Sequence, residues 1–94
     1  MKRERVHLVI KGRVQGVCFR AFTRDKAQEI GLTGWVKNLA DGSVEAVFEG
    51  TKQQLKKAVI WCYKGPPGAS VTGVDEKWYD YTGEFDSFDI FFGY

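Results

Sequence analysis

The stretch VHLVIKGRVQGVCFRAFTRDKAQEI, residues 6–30, decides the fold because its periodicity changes in the middle. Its first residues alternate across a strand with one buried face. The inward positions of that strand are Val6, Leu8 and Ile10. From Phe19 to Gly31 the spacing becomes helical, and Gly31 is placed to end the helix. The buried face of this helix is predicted as Phe19, Phe22, Ala27 and Ile30.

The remaining segments repeat strand and helix patterns. Residues 33–38 and 43–49 are predicted as two strands, and Asp41-Gly42 between them is a strong signal for a hairpin turn. Thr51 and Gln54 form a capping box at the start of a second helix. The apolar face of that helix is Leu55, Ala58, Val59 and Cys62. Two final strands are predicted over residues 71–79 and 87–92.

These elements give the order β-α-β-β-α-β with an additional C-terminal strand. The order predicts an α+β fold of the ferredoxin-like split βαβ type, a sandwich in which two helices cover one face of a mostly antiparallel sheet. Residues 1–94 are expected to form a single domain. Right-handed crossovers would place the first loop beside the end of the second strand. Residues expected in the core or covering the sheet are Trp35, Val44, Ala46, Phe48, Trp61, Trp78 and Phe88–Phe92.

The segment GRVQGVCFR, residues 12–20, joins the first strand to the first helix and has the features of an anion-binding loop. Gly12 and Gly16 permit positive φ and a tight turn, and the helix that follows contributes its positive end. Arg20 can bind two phosphate oxygens at once. Backbone donors to phosphate are expected from Gln15, Gly16, Val17, Cys18, Phe19 and Arg20. The segment has neither the GxxxxGKS/T spacing nor the GxGxxG spacing of nucleotide-binding loops.

A second motif, Gly34-Trp35-Val36-Lys37-Asn38, is followed by Asp41-Gly42, Val44 and Gly50. The two motifs in this order resemble the acylphosphatase family over essentially the whole chain. The resemblance implies hydrolysis of the carboxyl-phosphate bond of acyl phosphates, with Arg20 binding phosphate and Asn38 orienting the attacking water. It also implies that an oxygen of the substrate's own phosphate accepts the proton from that water, and that no cofactor is required.

Neither a general base nor a metal site is evident in the sequence. His7 is the only histidine and lies in a strand pattern, which favours a structural role. A nucleophilic role for Cys18 is disfavoured, because cysteine-dependent phosphatases place the cysteine at the opening of the loop, six residues before the arginine. Cys18 instead lies two residues before Arg20. Free thiols are expected, with a bridge between Cys18 and Cys62 as the open alternative.

Charge and hydropathy restrict the partners. Residues 1–40 carry nine Lys and Arg against three Asp and Glu, whereas residues 41–94 carry five against nine. This asymmetry suits steering of a small anion towards the loop. No apolar run is long enough to span a membrane, and no apolar segment follows the basic N-terminus as in a signal peptide. The expectation is a cytoplasmic monomer that acts on an acyl phosphate, releases inorganic phosphate and binds no nucleic acid.

Two other functions stay open from the sequence. A non-catalytic module could bind an acyl phosphate, carbamoyl phosphate or phosphate on the same loop. An RNA-recognition domain shares the strand and helix order, but residues 43–49 offer acidic side chains where that domain needs stacking aromatics. The chain end, Phe91-Phe92-Gly93-Tyr94, differs from the usual end of the family, which places a contact between the chain end and the site in doubt.

Overall fold

The computed structural model describes residues 2–92 as a five-stranded sheet with two helices. The elements are β1 Arg3–Arg13, α1 Phe19–Ile30, β2 Thr33–Asn38, β3 Val44–Thr51, α2 Lys52–Lys64, β4 Ser70–Asp80 and β5 Phe88–Phe91. The strand order is β4-β1-β3-β2-β5, with β2 and β5 parallel and the other neighbours antiparallel. The predicted ferredoxin-like α+β fold is confirmed, and β5 extends its sheet at the edge beside β2.

The core lies between the sheet and the two helices. Alternate residues of β1 and β3 are fully buried, as their patterns predicted, and α2 contributes the face at i, i+3, i+4 and i+7. The buried side chains of these elements include Val6, Leu8, Ile10, Val44, Ala46, Phe48, Leu55, Ala58, Val59 and Cys62. Burying an aliphatic or aromatic side chain of this size stabilises a fold by about 1.5–3 kcal/mol.

Helix α1 buries Phe19 and Ala27 as predicted and packs Ile30 against the core, but it does not bury Phe22. Phe22 is 46% exposed, whereas Thr23 is only 1% exposed, so the prediction for Phe22 was wrong. The buried positions follow one another at intervals of four, as Phe19, Thr23 and Ala27. Thr23 is buried without an unsatisfied hydroxyl, because its Oγ1 donates to the Phe19 carbonyl oxygen at 2.8 Å. The position of Thr23 on the buried face of the helix therefore mattered more than the greater hydrophobicity of Phe22.

The capping box of α2 is confirmed and also joins the two helices. The Gln54 backbone N–H donates to Thr51 Oγ1 at 3.3 Å, and the Thr51 N–H donates to Gln54 Oε1 at 2.9 Å. Gln54 Nε2 also donates to the Ile30 carbonyl oxygen at 3.1 Å, at the end of α1. This side chain thus satisfies polar backbone groups at the start of one helix and the end of the other.

The aromatic residues of β5 divide between the core and the surface. Phe88 is buried and stacks on Phe48, with ring centroids 5.2 Å apart. Phe91 and Phe92 are 47% and 78% exposed, so neither lies in the core, the first of the two places expected for them. Phe91 instead covers the sheet, because its ring stacks on Trp35 of the neighbouring strand with ring centroids 5.6 Å apart. The other two residues of the predicted chain end, Gly93 and Tyr94, lie outside the described residues.

Candidate active site

Gly12 lies at an irregularity in the pairing of β1 with β4. The pairing of β1 with β4 shifts register between Lys11 and Gly12, and Gly12 has φ 121°. A Cβ at this position would collide with the Ser70 carbonyl oxygen and lie 2.8 Å from the Thr72 backbone nitrogen. Glycine is therefore required by the close approach of β4, and the bulge directs the chain into the loop that follows.

The loop itself, residues 14–18, contains two left-handed residues. Gly16 has φ 75° with open space around its missing Cβ, so its backbone conformation alone explains the glycine. Cys18 has φ 61° and ψ 27°, and it is the only non-glycine residue with positive φ among residues 2–92. The sequence did not predict this conformation for Cys18. Left-handed residues within a short segment turn successive N–H groups towards one side, which favours anion binding.

The backbone donors of residues 15–20 are unused within the described chain. No N–H group of these residues donates a hydrogen bond to another group of residues 2–92. The first such bond at the start of α1 runs from the Phe22 N–H to the Cys18 carbonyl oxygen, at 3.1 Å. The N-terminal N–H groups of α1 and the positive end of its dipole therefore remain available to a negatively charged ligand.

Gln15 fastens this loop to the hairpin between β2 and β3. Its Nε2 donates to the Leu39 carbonyl oxygen at 2.8 Å and to the Ser43 carbonyl oxygen at 2.9 Å. Both amide protons of Gln15 thus bond to the hairpin. The backbone N–H is the only donor of Gln15 that remains available to a ligand. The sequence pattern gives no sign of this side-chain role, which holds the loop beside the end of β2.

Arg20 and Asn38 line one cleft of about 500 Å³, a volume suited to a small ligand. Asn38 is the last residue of β2, and its amide forms no hydrogen bond within residues 2–92. Arg20 is half-buried in the first turn of α1, and no carboxylate of residues 2–92 forms an ion pair with it. The residues lining the cleft are Val14, Gln15, Gly16, Cys18, Phe19, Arg20, Ala21, Arg24, Asn38, Ile90 and Phe92.

The C-terminal segment does contact the site, contrary to the doubt raised by its sequence. Arg20 Nη1 donates to the Phe91 carbonyl oxygen at 3.5 Å, and the Arg20 guanidinium carbon lies 5.0 Å from the centroid of the Phe92 ring. The long hydrogen bond and the cation–π contact orient the guanidinium without neutralising its charge. Arg20 therefore keeps its full positive charge for an anion in the cleft.

The hairpin that presents Asn38 is stabilised by its own turn residues. The Leu39 N–H donates to the Ser43 carbonyl oxygen at 2.9 Å, and Gly42 has φ 96°. Hydrogen bonds from the Ser43 hydroxyl and backbone N–H to the carboxylate hold the pKa of Asp41 below its ordinary value. The Asp-Gly turn predicted from the sequence thus keeps the end of β2 in place beside the loop.

The remaining candidate groups lie in other environments. His7 Nε2 is 2.7 Å from Glu45 Oε2 on the sheet face opposite the helices. Cys18 is an exposed free thiol, whereas Cys62 is a buried free thiol whose pKa is raised by burial. No group of three or more His, Cys, Asp or Glu side chains within residues 2–92 could hold a metal ion.

A larger groove of about 890 Å³ lies on the same face as His7. Its lining includes the carboxylates of Asp75, Glu76 and Asp80. Arg5, His7 and Lys77 also line this groove, but Arg5 already forms ion pairs with Glu49 and Glu84, and His7 already contacts Glu45. The cleft at the start of α1 is the place where unused N–H donors and an arginine occur together.

The fold and the cleft define a class: a small α+β protein with one cleft in which an arginine, an asparagine amide and unused backbone N–H groups occur together.

Comparison with known proteins makes the class specific. The acylphosphatase family model matches residues 6–90. The chain is 53% identical over 92 residues to an acylphosphatase of Pelotomaculum thermopropionicum, covering 98% of this chain and all of that protein. The structure also superimposes on acylphosphatase structures from Coxiella burnetii and Bacillus subtilis. For the Coxiella burnetii structure, the TM-score is 0.89 at 37% identity, covering 95% of this chain and 93% of that chain. For the Bacillus subtilis structure, the TM-score is 0.90 at 34% identity, covering 94% of this chain and 98% of that chain.

The chain belongs to the acylphosphatase family. Its activity is that of an acylphosphatase, the hydrolysis of acyl phosphates to a carboxylate and inorganic phosphate. The alternative of a non-catalytic binding module is not favoured by relatives that carry this activity in their names and match over nearly their whole length.

Proposed function

We propose that the phosphate of the substrate binds to the N–H groups of residues 15–20, with Arg20 and Asn38 as the catalytic residues. The single observation that carries this proposal is the convergence of these groups in one cleft, where the loop N–H groups and the Asn38 amide have no hydrogen-bond partner within residues 2–92 and Arg20 has no carboxylate partner. The guanidinium of Arg20 binds two phosphate oxygens and balances the charge that they carry. Gly12 and Gly16 shape the loop that aims the donors.

Asn38 acts on the attacking water. Its amide oxygen accepts a hydrogen bond from the water, and its NH₂ group donates to a phosphate oxygen. This pairing holds the water in line with the bond that breaks, between phosphorus and the oxygen of the acyl group. Orientation of this kind removes much of the entropic part of the barrier.

The reaction needs no protein nucleophile. Water adds to phosphorus, the bond from phosphorus to the acyl oxygen breaks, and the acyl group leaves as a carboxylate with the bonding electron pair. A proton of the water passes to an oxygen of the transferring phosphate, so that the products are a carboxylate and inorganic phosphate. Arg20 and the N–H donors supply the positive electrostatic environment for this step without a cofactor or a metal.

The setting of the activity is also a proposal. We infer a cytoplasmic, monomeric protein that forms one domain over residues 1–94 and has no nucleic-acid partner. Two free thiols, Cys18 and Cys62, suit a reducing compartment. Within residues 2–92, neither helix has the length and apolar character required to cross a membrane.

Hydrolysis of benzoyl phosphate in the presence of EDTA tests the site, with a phosphate monoester as counter-substrate. We expect fast cleavage of the acyl phosphate alone, and a loss of turnover on the order of 100-fold or more in Arg20→Gln, because a preorganised charge is removed from the transition state. Arg3→Gln is the matched control, since Arg3 lies at the other end of β1. A folded Arg20→Gln variant with near-normal turnover would refute the role of Arg20.

A further inference from the structure

The lining of the cleft combines two kinds of chemistry. The loop donors, Arg20 and Asn38 are polar or charged. Ile90 and Phe92 of the C-terminal segment are apolar, as are the side chains of Val14, Phe19 and Ala21. An acyl phosphate has the same division, because a charged phosphate is joined to an acyl group that is apolar in many compounds. The cleft therefore offers a surface to each half of such a molecule.

Phe92 continues an apolar row that begins in the core. In an extended chain every second side chain points to the same side, so Phe88, Ile90 and Phe92 share one face of the C-terminal segment. Phe88 is 2% exposed and stacks on Phe48 beneath the helices. Ile90 is half-buried, and Phe92 is 78% exposed. The row thus passes from the core to the open cleft, where its last ring has no core neighbour.

This last ring lies next to the side chain that is proposed to bind phosphate. The Arg20 guanidinium carbon lies 5.0 Å from the centroid of the Phe92 ring, and Arg20 Nη1 also contacts the Phe91 carbonyl oxygen. A group joined to a phosphate held by Arg20 is therefore within reach of the ring. Aromatic rings pack favourably against both flat and aliphatic groups.

We propose that Phe92, together with Ile90, forms the subsite for the acyl group and gives the enzyme a preference for aromatic and bulky aliphatic acyl phosphates over acetyl phosphate. The proposal rests on the proposed function, since it assumes that phosphate binds beside Arg20. Phe92 acts here as a specificity residue, because Arg20, Asn38 and the loop N–H donors carry out the hydrolysis. An apolar surface discriminates substrates by the area that each acyl group buries against it.

The test compares benzoyl phosphate with acetyl phosphate in Phe92→Ala. We expect the ratio of kcat/KM for benzoyl phosphate to kcat/KM for acetyl phosphate to fall by about fivefold to tenfold, mainly through a higher KM for benzoyl phosphate. Phe22→Ala is the matched control, because Phe22 is an exposed phenylalanine of α1 that does not line the cleft. The ratio should not change in this control, and Phe92→Leu should retain most of the preference for the larger substrate.

Three results would overturn the proposal. An unchanged ratio in Phe92→Ala would mean that the acyl group lies elsewhere. An equal loss for both substrates, accompanied by weaker inhibition by inorganic phosphate, would mean that Phe92 only positions Arg20. Normal turnover of both substrates by folded Arg20→Gln would remove the phosphate site itself, and the Arg20→Gln arm therefore separates failure of the proposed function from failure of the acyl subsite.

Discussion

The polar groups near the two ends of strand β3 differ in their hydrogen bonding. Near its C-terminal end, Glu49 is 2% exposed, and its carboxylate accepts hydrogen bonds from the Thr82 N–H, the Thr82 hydroxyl and the Gly83 N–H at 3.0, 2.8 and 3.1 Å. Beside its N-terminal end lies the loop of residues 15–20, whose N–H groups have no partner within residues 2–92. One end is saturated with internal hydrogen bonds, and the other is left open.

The arginines of the two ends show the same contrast. Arg5 forms ion pairs with both Glu49 and Glu84. Arg20 contacts only a carbonyl oxygen and an aromatic ring among the described residues. A saturated cluster lowers the energy of the folded chain, whereas unused donors are available to stabilise a ligand and its transition state. Under the proposed function, stability and catalysis belong to opposite ends of one sheet, so variants at the two ends should separate them.

The largest effect on catalysis alone is expected from Asn38→Ala. Turnover of benzoyl phosphate should fall on the order of 100-fold, because the water loses its alignment with phosphorus. Inhibition by inorganic phosphate should change little, since Arg20 and the loop donors remain. The midpoint of urea unfolding should also stay near that of the wild type, because the Asn38 amide bonds to no described residue. Turnover close to the wild type would show that another group orients the water.

The opposite result is expected from Glu49→Ala at the saturated end. Removal of the carboxylate leaves the donors of Thr82 and Gly83 without their acceptor, which should lower the free energy of unfolding by about 3 kcal/mol. Urea unfolding measures this loss, and Glu49→Gln, which keeps one acceptor oxygen, should lose less. Turnover of the folded fraction should remain within about twofold of the wild type. A large fall in turnover of fully folded Glu49→Ala would contradict the division between the two ends.

The sequence predicted the features that depend on neighbouring residues. Periodicity placed β2 and the buried face of α2, and the side-chain spacing of Thr51 and Gln54 predicted the capping box. The location of the loop between β1 and α1 also followed from its own residues, because glycines and a helix start are local signals. The site roles of Arg20 and Asn38 stay predictions, which the experiments above address.

Features that depend on distant residues were missed. Gln15 bonds to residues 24 and 28 positions away, and Glu49 bonds to Thr82, 33 positions away. The alternation of β3 assigned Glu49 to the face opposite Phe48, where a carboxylate normally meets solvent, and nothing local indicated that residues 82–83 would cover it. Phe22 was chosen over Thr23 for the core because the bond from Thr23 to the Phe19 carbonyl oxygen is not visible in a hydropathy pattern.

Gln15→Ala tests whether the open end depends on its attachment to the hairpin. Loss of the two hydrogen bonds to Leu39 and Ser43 should let the loop move relative to Asn38 and lower turnover by about tenfold, because small misplacements of catalytic groups are costly. Inhibition by inorganic phosphate should weaken less than turnover, since the backbone donors remain. Gln28→Ala, at an exposed glutamine of α1, is the matched control. Equal turnover in both variants would mean that the loop keeps its place without Gln15.

The smallest effect on stability is expected from Glu84→Gln, and this effect should depend on pH. The hydrogen bond from Arg5, followed by that from Thr82, holds the pKa of Glu84 below its ordinary value of 4.5. A carboxyl group with a lowered pKa in the folded state contributes stability that is present above the unfolded value and is lost as the pH falls through the folded value. The stability advantage of the wild type over Glu84→Gln should therefore shrink as the pH is lowered from 6 towards 3. The advantage itself is small, because Glu84 is 55% exposed and solvent screens the pair.

Thermal unfolding at several pH values measures this difference, and high salt should reduce it at pH 6, since the pair is accessible to ions. Turnover of Glu84→Gln at neutral pH should equal that of the wild type, because the substituted carboxylate belongs to the saturated end. A stability difference that is constant with pH would mean that Glu84 acts through packing and not through its charge. A change in turnover would show that the saturated end is coupled to the cleft across the sheet, and the assignment of stability and catalysis to separate ends would then fail.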